Sequence, residues 1–282
     1  MSLDFYYPVE ITKGRKVYCK EITNHHLITI EKFIETSDNE LLCEYLDNLV
    51  YELVKEVNNI NYLDKFLILL NIRKNCLGGT LDLVSKDKTK NSISISFIEK
   101  IILDNYEDKT FTTEYNGIKV TCGFPVKISF FNSFYDCVNK IQIEDEKIFL
   151  GNLPYNESEQ YLENLPYQLL KKLKDNIYKL RQKTVNLFEI RNEKDSTKFS
   201  FNYKQEELFS ILKLSLSDSL KNLLYYEYIC SSKLHIPPSD YLKMTPGETK
   251  IVIKHLTDEI KKQNERQTQS STPPPGLGQP MQ

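Results

Sequence analysis

Few side chains in this sequence could do chemistry, and their spacing argues against most reactions. His25-His26 is an adjacent pair. Neighbouring residues on a helix point about 100° apart, so the two rings cannot clamp one metal as an i, i+4 pair does. They fall where a helix should begin, which favours capping or exposure. The same expectation, no metal bound, applies to His235 and His255. The six cysteines are Cys19, Cys43, Cys76, Cys122, Cys137 and Cys230, and no two are closer than fifteen residues. A C-x-x-C zinc or redox motif is therefore absent. Several of these cysteines lie on apolar faces, where a free thiol packs as a small hydrophobe, and all six are expected to be reduced. Gly78-Gly79-Thr80 lacks the G-x-x-x-x-G-K-[ST] pattern of a phosphate loop, and neither G-x-S-x-G nor H-E-x-x-H occurs. Glu157, Glu159 and Glu163 have helix spacing, but carboxylates on a surface helix are usually just solvated. The residues thus predict no catalytic, cofactor or metal site.

Two groups suggest binding instead. Lys171, Lys172, Lys174, Lys179, Arg181 and Lys183 form a basic cluster. They fall largely off the apolar stripe Leu169, Leu170, Leu173, Ile177 and Leu180, as a charged outer face would. Nucleic-acid binding asks for aromatics interleaved with bases, and only Tyr178 lies inside the run. A solvated face is the favoured reading, and a contact with an acidic protein neighbour ranks ahead of nucleic acid. The second group is Tyr225, Tyr226 and Tyr228, followed by Tyr241. Tyrosine buries area while keeping a polar tip, and it is enriched at interfaces. A core helix whose hydroxyls reach the edge is the favoured alternative. The candidate protein interface is accordingly Lys171, Lys172, Tyr225, Tyr226 and Tyr228.

The elements that must carry these residues are organised around Asn61–Gly79. Of the ten residues Leu63–Ile72, seven are large and apolar. Asn61 is a candidate N-cap, and Gly78 or Gly79 supplies the left-handed residue that closes a helix. Asp64 and Lys65 near one end, and Arg73 and Lys74 near the other, are read as terminal charges, with the acid and the late bases suiting the helix dipole. Apolar faces on both sides predict a central helix, 62–77, buried on nearly all sides. A membrane span needs about 20 apolar residues, and this run is too short.

Upstream, Phe5–Ile11 and Lys16–Ile22 read as strands around Gly14. Two helices follow, capped by Thr23 or Asn24 and by Asp38 or Asn39. Downstream the period turns to alternation. Thr80–Ser85, Ser92–Phe97, Phe111–Tyr115, Ile118–Cys122 and Val126–Phe131 are strand candidates, and Asn116-Gly117 marks a type I′ hairpin turn. Ile141–Pro166 is less regular and holds a candidate domain boundary. A helix at 169–180, a hairpin at 185–203 and a helical stretch from about Gln205 to Ser232, with a break near Ser215–Ser217, come next. Thr245-Pro246-Gly247-Glu248 is a capping box with proline at the first helical position.

These readings give an α+β fold: a helical cluster packed on a small antiparallel sheet, followed by a mainly helical C-terminal region with a β-hairpin. The expected division is 1–150, 151–267 and a disordered proline-rich tail at 268–282. With 282 residues and 40% hydrophobic content the chain can build a sizeable core. A net charge of −2 argues against a dedicated nucleic-acid binder. The polar start MSLDFYYPVE is not of signal-peptide type, so a cytoplasmic site of synthesis is expected.

The order of the pieces carries a family resemblance. A strand ending in Lys20–Thr23 is followed by LDKFLILLNIRKNCLG at the close of a helix-rich segment. A sheet comes next, then LLYYEYIC and YLKMTPGE before a last polar helix. This resembles the T4-type phage baseplate hub subunits and hub-assembly proteins over most of residues 15–265, most strongly at Leu63–Gly78 and Leu223–Glu248. The resemblance implies a late viral product of tail morphogenesis, made in the bacterial host cytoplasm. Its expected partners are other baseplate and hub proteins, with no catalytic residues, no nucleic acid and no stable membrane insertion. A protein-binding adaptor outside the tail, and an enzyme whose site is scattered in sequence, stand as the alternatives.

Overall fold

The computed structural model describes residues 5–55, 60–84, 90–105, 110–129, 135–150, 153, 155–181, 184–191, 196–202, 205–217 and 220–270. The chain opens with an antiparallel hairpin, β1 (Tyr7–Glu10) and β2 (Lys16–Cys19), in which Val9 faces Val17. Lys13 and Gly14 turn the chain with positive φ. Three helices follow, α1 (Asn24–Glu35), α2 (Asn39–Leu53) and α3 (Tyr62–Cys76). Asp38 caps α2 by accepting the Leu41 N–H at 3.1 Å.

Helix α3 is the buried centre. Asn61 Oδ1 accepts the Asp64 N–H at 3.0 Å, and Asp64 Oδ2 accepts the Asn61 N–H at 3.1 Å, a reciprocal capping box. Gly78, at φ 115°, supplies the conformation that an L side chain resists just past the helix end. Eleven of its fifteen residues are buried, because α2, a helix before the central sheet, a helix after it and β1 all pack on it. At roughly 1.5–3 kcal/mol for each large apolar side chain taken out of water, this helix is the largest single hydrophobic contributor.

After α3 come β3 (Thr80–Val84), β4 (Lys90–Ser94) and α4 (Ile95–Asn105). The expected strand Ser92–Phe97 therefore stops at Ser94. Ile95, Ile98, Glu99 and Ile102 are all buried, and that i, i+3, i+4, i+7 spacing overrides the SISISF alternation. A four-stranded antiparallel meander follows, in the order β5 (Phe111–Tyr115), β6 (Ile118–Cys122), β7 (Val138–Ile143), β8 (Glu146–Phe149). Asn116 and Gly117 both take positive φ, as the predicted type I′ turn requires. The segment 126–129 is not a strand, and the rest of that expected strand lies outside the described residues. Its backbone partners lie elsewhere: Pro125 C=O accepts the Tyr62 N–H, and the Ile128 N–H donates to Asp47 at 3.0 Å. β7 and β8 regularise a stretch that reads as irregular, through a turn with Glu144 at positive φ.

The remaining elements are α5 (Tyr155–Glu163), α6 (Tyr167–Arg181), the hairpin β9 (Thr184–Arg191) and β10 (Ser196–Asn202), then α7 (Gln205–Leu216), α8 (Leu220–Leu234), α9 (Pro238–Tyr241) and α10 (Pro246–Ser270). The predicted capping box is present: Thr245 N–H donates to Glu248 at 2.7 Å, and Glu248 N–H to Thr245 Oγ1 at 3.2 Å. Helix α10 runs through Ser270, so residues 268–270 of the expected tail are helical, and 271–282 lie outside the described residues. The fold is α+β, with a helical cluster, small antiparallel sheets and a helical C-terminal region.

The buried side chains form two clusters. The first joins β1, β2 and α1–α4 to α7, α8 and Tyr241. The second sets Val120, Cys122, Val138 and Ile141 of the meander against Leu162, Leu165, Leus 169 and 173, and Ile177 around α5 and α6. The chain thus leaves the first cluster for the meander and returns to it at α7.

Candidate docking surfaces

Helix α6 buries Leu169, Leu173 and Ile177 and turns its other side outward. Lys171 and Lys172 are exposed, as a charged outer face predicts. Lys174 is exposed too, and the two tyrosines on this face, Tyr167 and Tyr178, are 75% and 64% exposed. Tyr167, Lys171, Lys174 and Tyr178 follow i, i+4, i+7, i+11, one face of a helix. Tyr167 precedes the basic run and was missed as its aromatic companion; helical spacing from Tyr178 could have found it. Lys183 lies outside the described residues.

Helix α8 sorts the tyrosine cluster. Leu223 and Cys230 are buried, and half-buried Tyr226 packs against the first cluster. Leu224, Tyr225 and Tyr228 point outward, 47%, 58% and 63% exposed. Leu224 and Tyr228 are i, i+4 neighbours and Tyr225 and Tyr228 are i, i+3 neighbours, so the three make one apolar ridge. Tyr241 is fully buried, and its hydroxyl donates to Leu223 C=O at 2.8 Å. Tyr226 and Tyr241 are core residues; Tyr225 and Tyr228 are surface residues. The two candidate faces belong to different layers, since α6 packs on β5 and β6 while α8 packs on α1, α9 and α10.

Polar contacts tie the start of α1 to the segment from α9 to the start of α10. Asn24 N–H donates to Met244 C=O at 2.8 Å and His25 N–H to Leu242 C=O at 3.1 Å. Asn24 Nδ2 donates to Tyr241 C=O at 3.0 Å and to Thr249 Oγ1 at 2.7 Å. Helix N-termini have unpaired N–H groups, and here the C-terminal segment supplies the acceptors.

The other reactive groups serve packing. His26 is the third residue of α1, and its Nδ1 accepts the Thr23 N–H at 3.0 Å while Nε2 lies 3.3 Å from Glu52. Burial lowers its pKa against the opposing pull of Glu52. All six cysteines are buried and free of disulfides. Burial pushes the thiols of Cys19, Cys43, Cys76 and Cys122 up to about 12, holding them protonated near neutrality. Among the described residues, no group of three His, Cys, Asp or Glu could hold a metal. No helix among them is long and apolar enough to cross a membrane.

Asp64 lies in the first turn of α3, as the helix-dipole reading has it, and both Asp64 and Lys65 are fully buried. Asp64 accepts from Thr12 N–H at 3.0 Å, Thr12 Oγ1 at 2.5 Å and Arg15 at 2.6 Å. Lys65 Nζ donates to Asp47 at 2.8 Å and lies 4.8 Å from the centre of the Tyr51 ring. The partners are remote in sequence, which hid the pairs.

Against known families, a model described as T4 bacteriophage base plate protein matches residues 5–213. The chain belongs to this family, and is a phage baseplate protein, a tail component whose neighbours are other baseplate proteins. The match covers the second cluster and most of the first and ends inside α7, so α8 to α10 lie beyond it. No curated protein and no solved structure matches the chain.

Proposed function

We propose that the chain is a hub subunit or hub-assembly protein of the baseplate, acting through protein–protein contacts without a catalytic step. The observation that carries this is the outward ridge Leu224, Tyr225 and Tyr228 on a helix that is anchored in the core by Leu223 and Cys230. Tyrosines supply anchor area at low conformational cost, and an interface core is where they are enriched. The basic face of α6 supplies steering and orientation more than affinity. The resemblance at Leu63–Gly78 and Leu223–Glu248 supports the hub position, and work during assembly in the host cytoplasm accords with it.

The test is co-expression with the hub proteins of the same phage, comparing wild type with Tyr225→Ala/Tyr228→Ala. Both side chains are exposed, so the variant is expected to melt as wild type does while recovering far less hub protein. Equal recovery by the folded variant would remove α8 from the docking surface. Mass spectrometry of purified virions beside infected-cell lysate separates the roles: a hub subunit is present in both, and an assembly factor in the lysate alone.

A further inference from the structure

The helices α5 and α6 segregate charge. α5, YNESEQYLE, has Glu157, Glu159 and Glu163 and no base. α6, YQLLKKLKDNIYKLR, has Lys171, Lys172, Lys174, Lys179 and Arg181 against Asp175 alone. Both set leucines against the second cluster, which leaves Glu157 and Glu163 exposed on one helix and Lys171 and Lys172 exposed on the other. Among the described residues these four make no ion pair with one another. Along α5 runs an open groove lined by Glu157, Gln160, Tyr161 and Asn164, an i, i+3, i+4, i+7 face. α6 offers Tyr167 and Tyr178 with lysine between them. Solvation accounts for the glutamates and lysines but not for Tyr161, Tyr167 and Tyr178, all exposed.

We propose that the acidic α5 face of one copy of this chain docks on the basic α6 face of a second copy, and reciprocally, as a two-fold homodimer. Charge complementarity selects the occupant: the chain holds both halves of the contact on neighbouring helices. Two-fold symmetry lets each copy present both halves at once. The tyrosines fill the contact, Tyr167 or Tyr178 of one copy entering the α5 groove of the other. The helices are about 14 Å and about 22 Å long at 1.5 Å per residue, so the footprint is a few hundred Å² per copy. That lies at the low end of specific interfaces, and the dimer is reversible and salt-sensitive. The ridge that carries the hub reading is on α8, which this contact does not involve, so failure of the dimer leaves that ridge and its test intact.

The experiment is sedimentation equilibrium of the full chain at about 50 mM and about 500 mM NaCl, salt concentrations that leave little and much screening. Wild type is expected to form a reversible dimer that weakens with salt. Lys171→Glu/Lys172→Glu cancels the basic excess of α6 beside an acidic α5, and Glu157→Lys/Glu163→Lys makes both helices basic. Each alone should weaken the dimer by at least about ten-fold, since juxtaposed like charges are costly. Mixed together, the two variants should associate as a heterodimer, because the acidic α5 of the first then meets the basic α6 of the second. Circular dichroism and melting temperature check that each variant is folded. A monomeric wild type at low salt, a dimer indifferent to the reversals, or folded variants that fail to associate on mixing would each overturn the proposal.

Discussion

Asp47→Ala should be among the most damaging single changes to the fold, although Asp47 lies outside the most buried helix. Its Oδ1 accepts from Lys65 Nζ at 2.8 Å and from the Ile128 N–H at 3.0 Å. The Lys65 side chain is fully buried whereas Asp47 keeps 16% exposure. The pair is therefore lopsided. Deleting the carboxylate strands an ammonium that has, among the described residues, the Tyr51 ring beside it, and also frees a backbone N–H. Breaking a buried pair in this way costs about 3–5 kcal/mol. At about 2–4 °C per kcal/mol for a chain of this size, the melting temperature should fall by roughly 6–20 °C. Lys65→Met keeps the volume and leaves the better-solvated partner with its Ile128 contact, so it should cost about 1–2 kcal/mol. In Asp47→Asn/Lys65→Met the amide oxygen can still accept from Ile128, and stability should return close to that of Lys65→Met alone. The assay is urea denaturation followed by circular dichroism on the four proteins. If Asp47→Ala proves no worse than Lys65→Met, the lysine is not stranded and the asymmetry argument fails.

Two further outcomes follow from the polar contacts. His26 caps α1 through a neutral Nδ1, and burial lowers its pKa below 6.5. Its contribution is thus fully present above about pH 6.5 and is lost as the pH falls from there through the lower folded-state value. His26→Gln keeps a Thr-x-x-Gln capping box without a titrating ring, so its stability relative to wild type should rise on acidification from pH 7 to about 5. Equal pH slopes for the two proteins would dismiss this role. Truncation divides at a sharper point: a stop after Arg266 should leave melting unchanged, since residues 261–266 are all exposed. A stop after Ser217 removes Leu223, Cys230 and Tyr241 from the first cluster and should give insoluble or unfolded protein.

What was legible in the sequence was what local chemistry decides. Asn61, Gly78, Asn116-Gly117, Asp38 and the Thr245–Glu248 box each specify a cap or turn from within a few residues, and each appears as read. The Leu63–Ile72 run foretold a helix buried all round, because no polar face was left to expose. The failures share one cause, a contact partner distant in sequence. Val126–Phe131 alternates like a strand, yet Pro125 and Ile128 give their backbone groups to Tyr62 and Asp47. SISISF alternates too, but three isoleucines at helical spacing have a core to enter once α3 stands beside them. Asp64 and Lys65 show their place at the start of the helix, but not their partners Arg15 and Asp47.

The candidate faces were legible only in composition. Tyr225, Tyr226 and Tyr228 are nearly consecutive, and no local rule says which of them turns inward. That is decided by where α8 meets α1, α9 and α10, and hence by the contacts that tie Asn24 to Tyr241 and Thr249. The outward ridge is therefore an indirect product of the N-terminal helix. A partner gripping Leu224, Tyr225 and Tyr228 binds a surface that exists only while the first cluster is folded. Such binding must stabilise that whole cluster by mass action, about 2.7 kcal/mol when the partner is at 100 times its dissociation constant. Docking at α8 and folding around α3 are consequently linked through α1, although the ridge lies 150 residues from α3 in sequence.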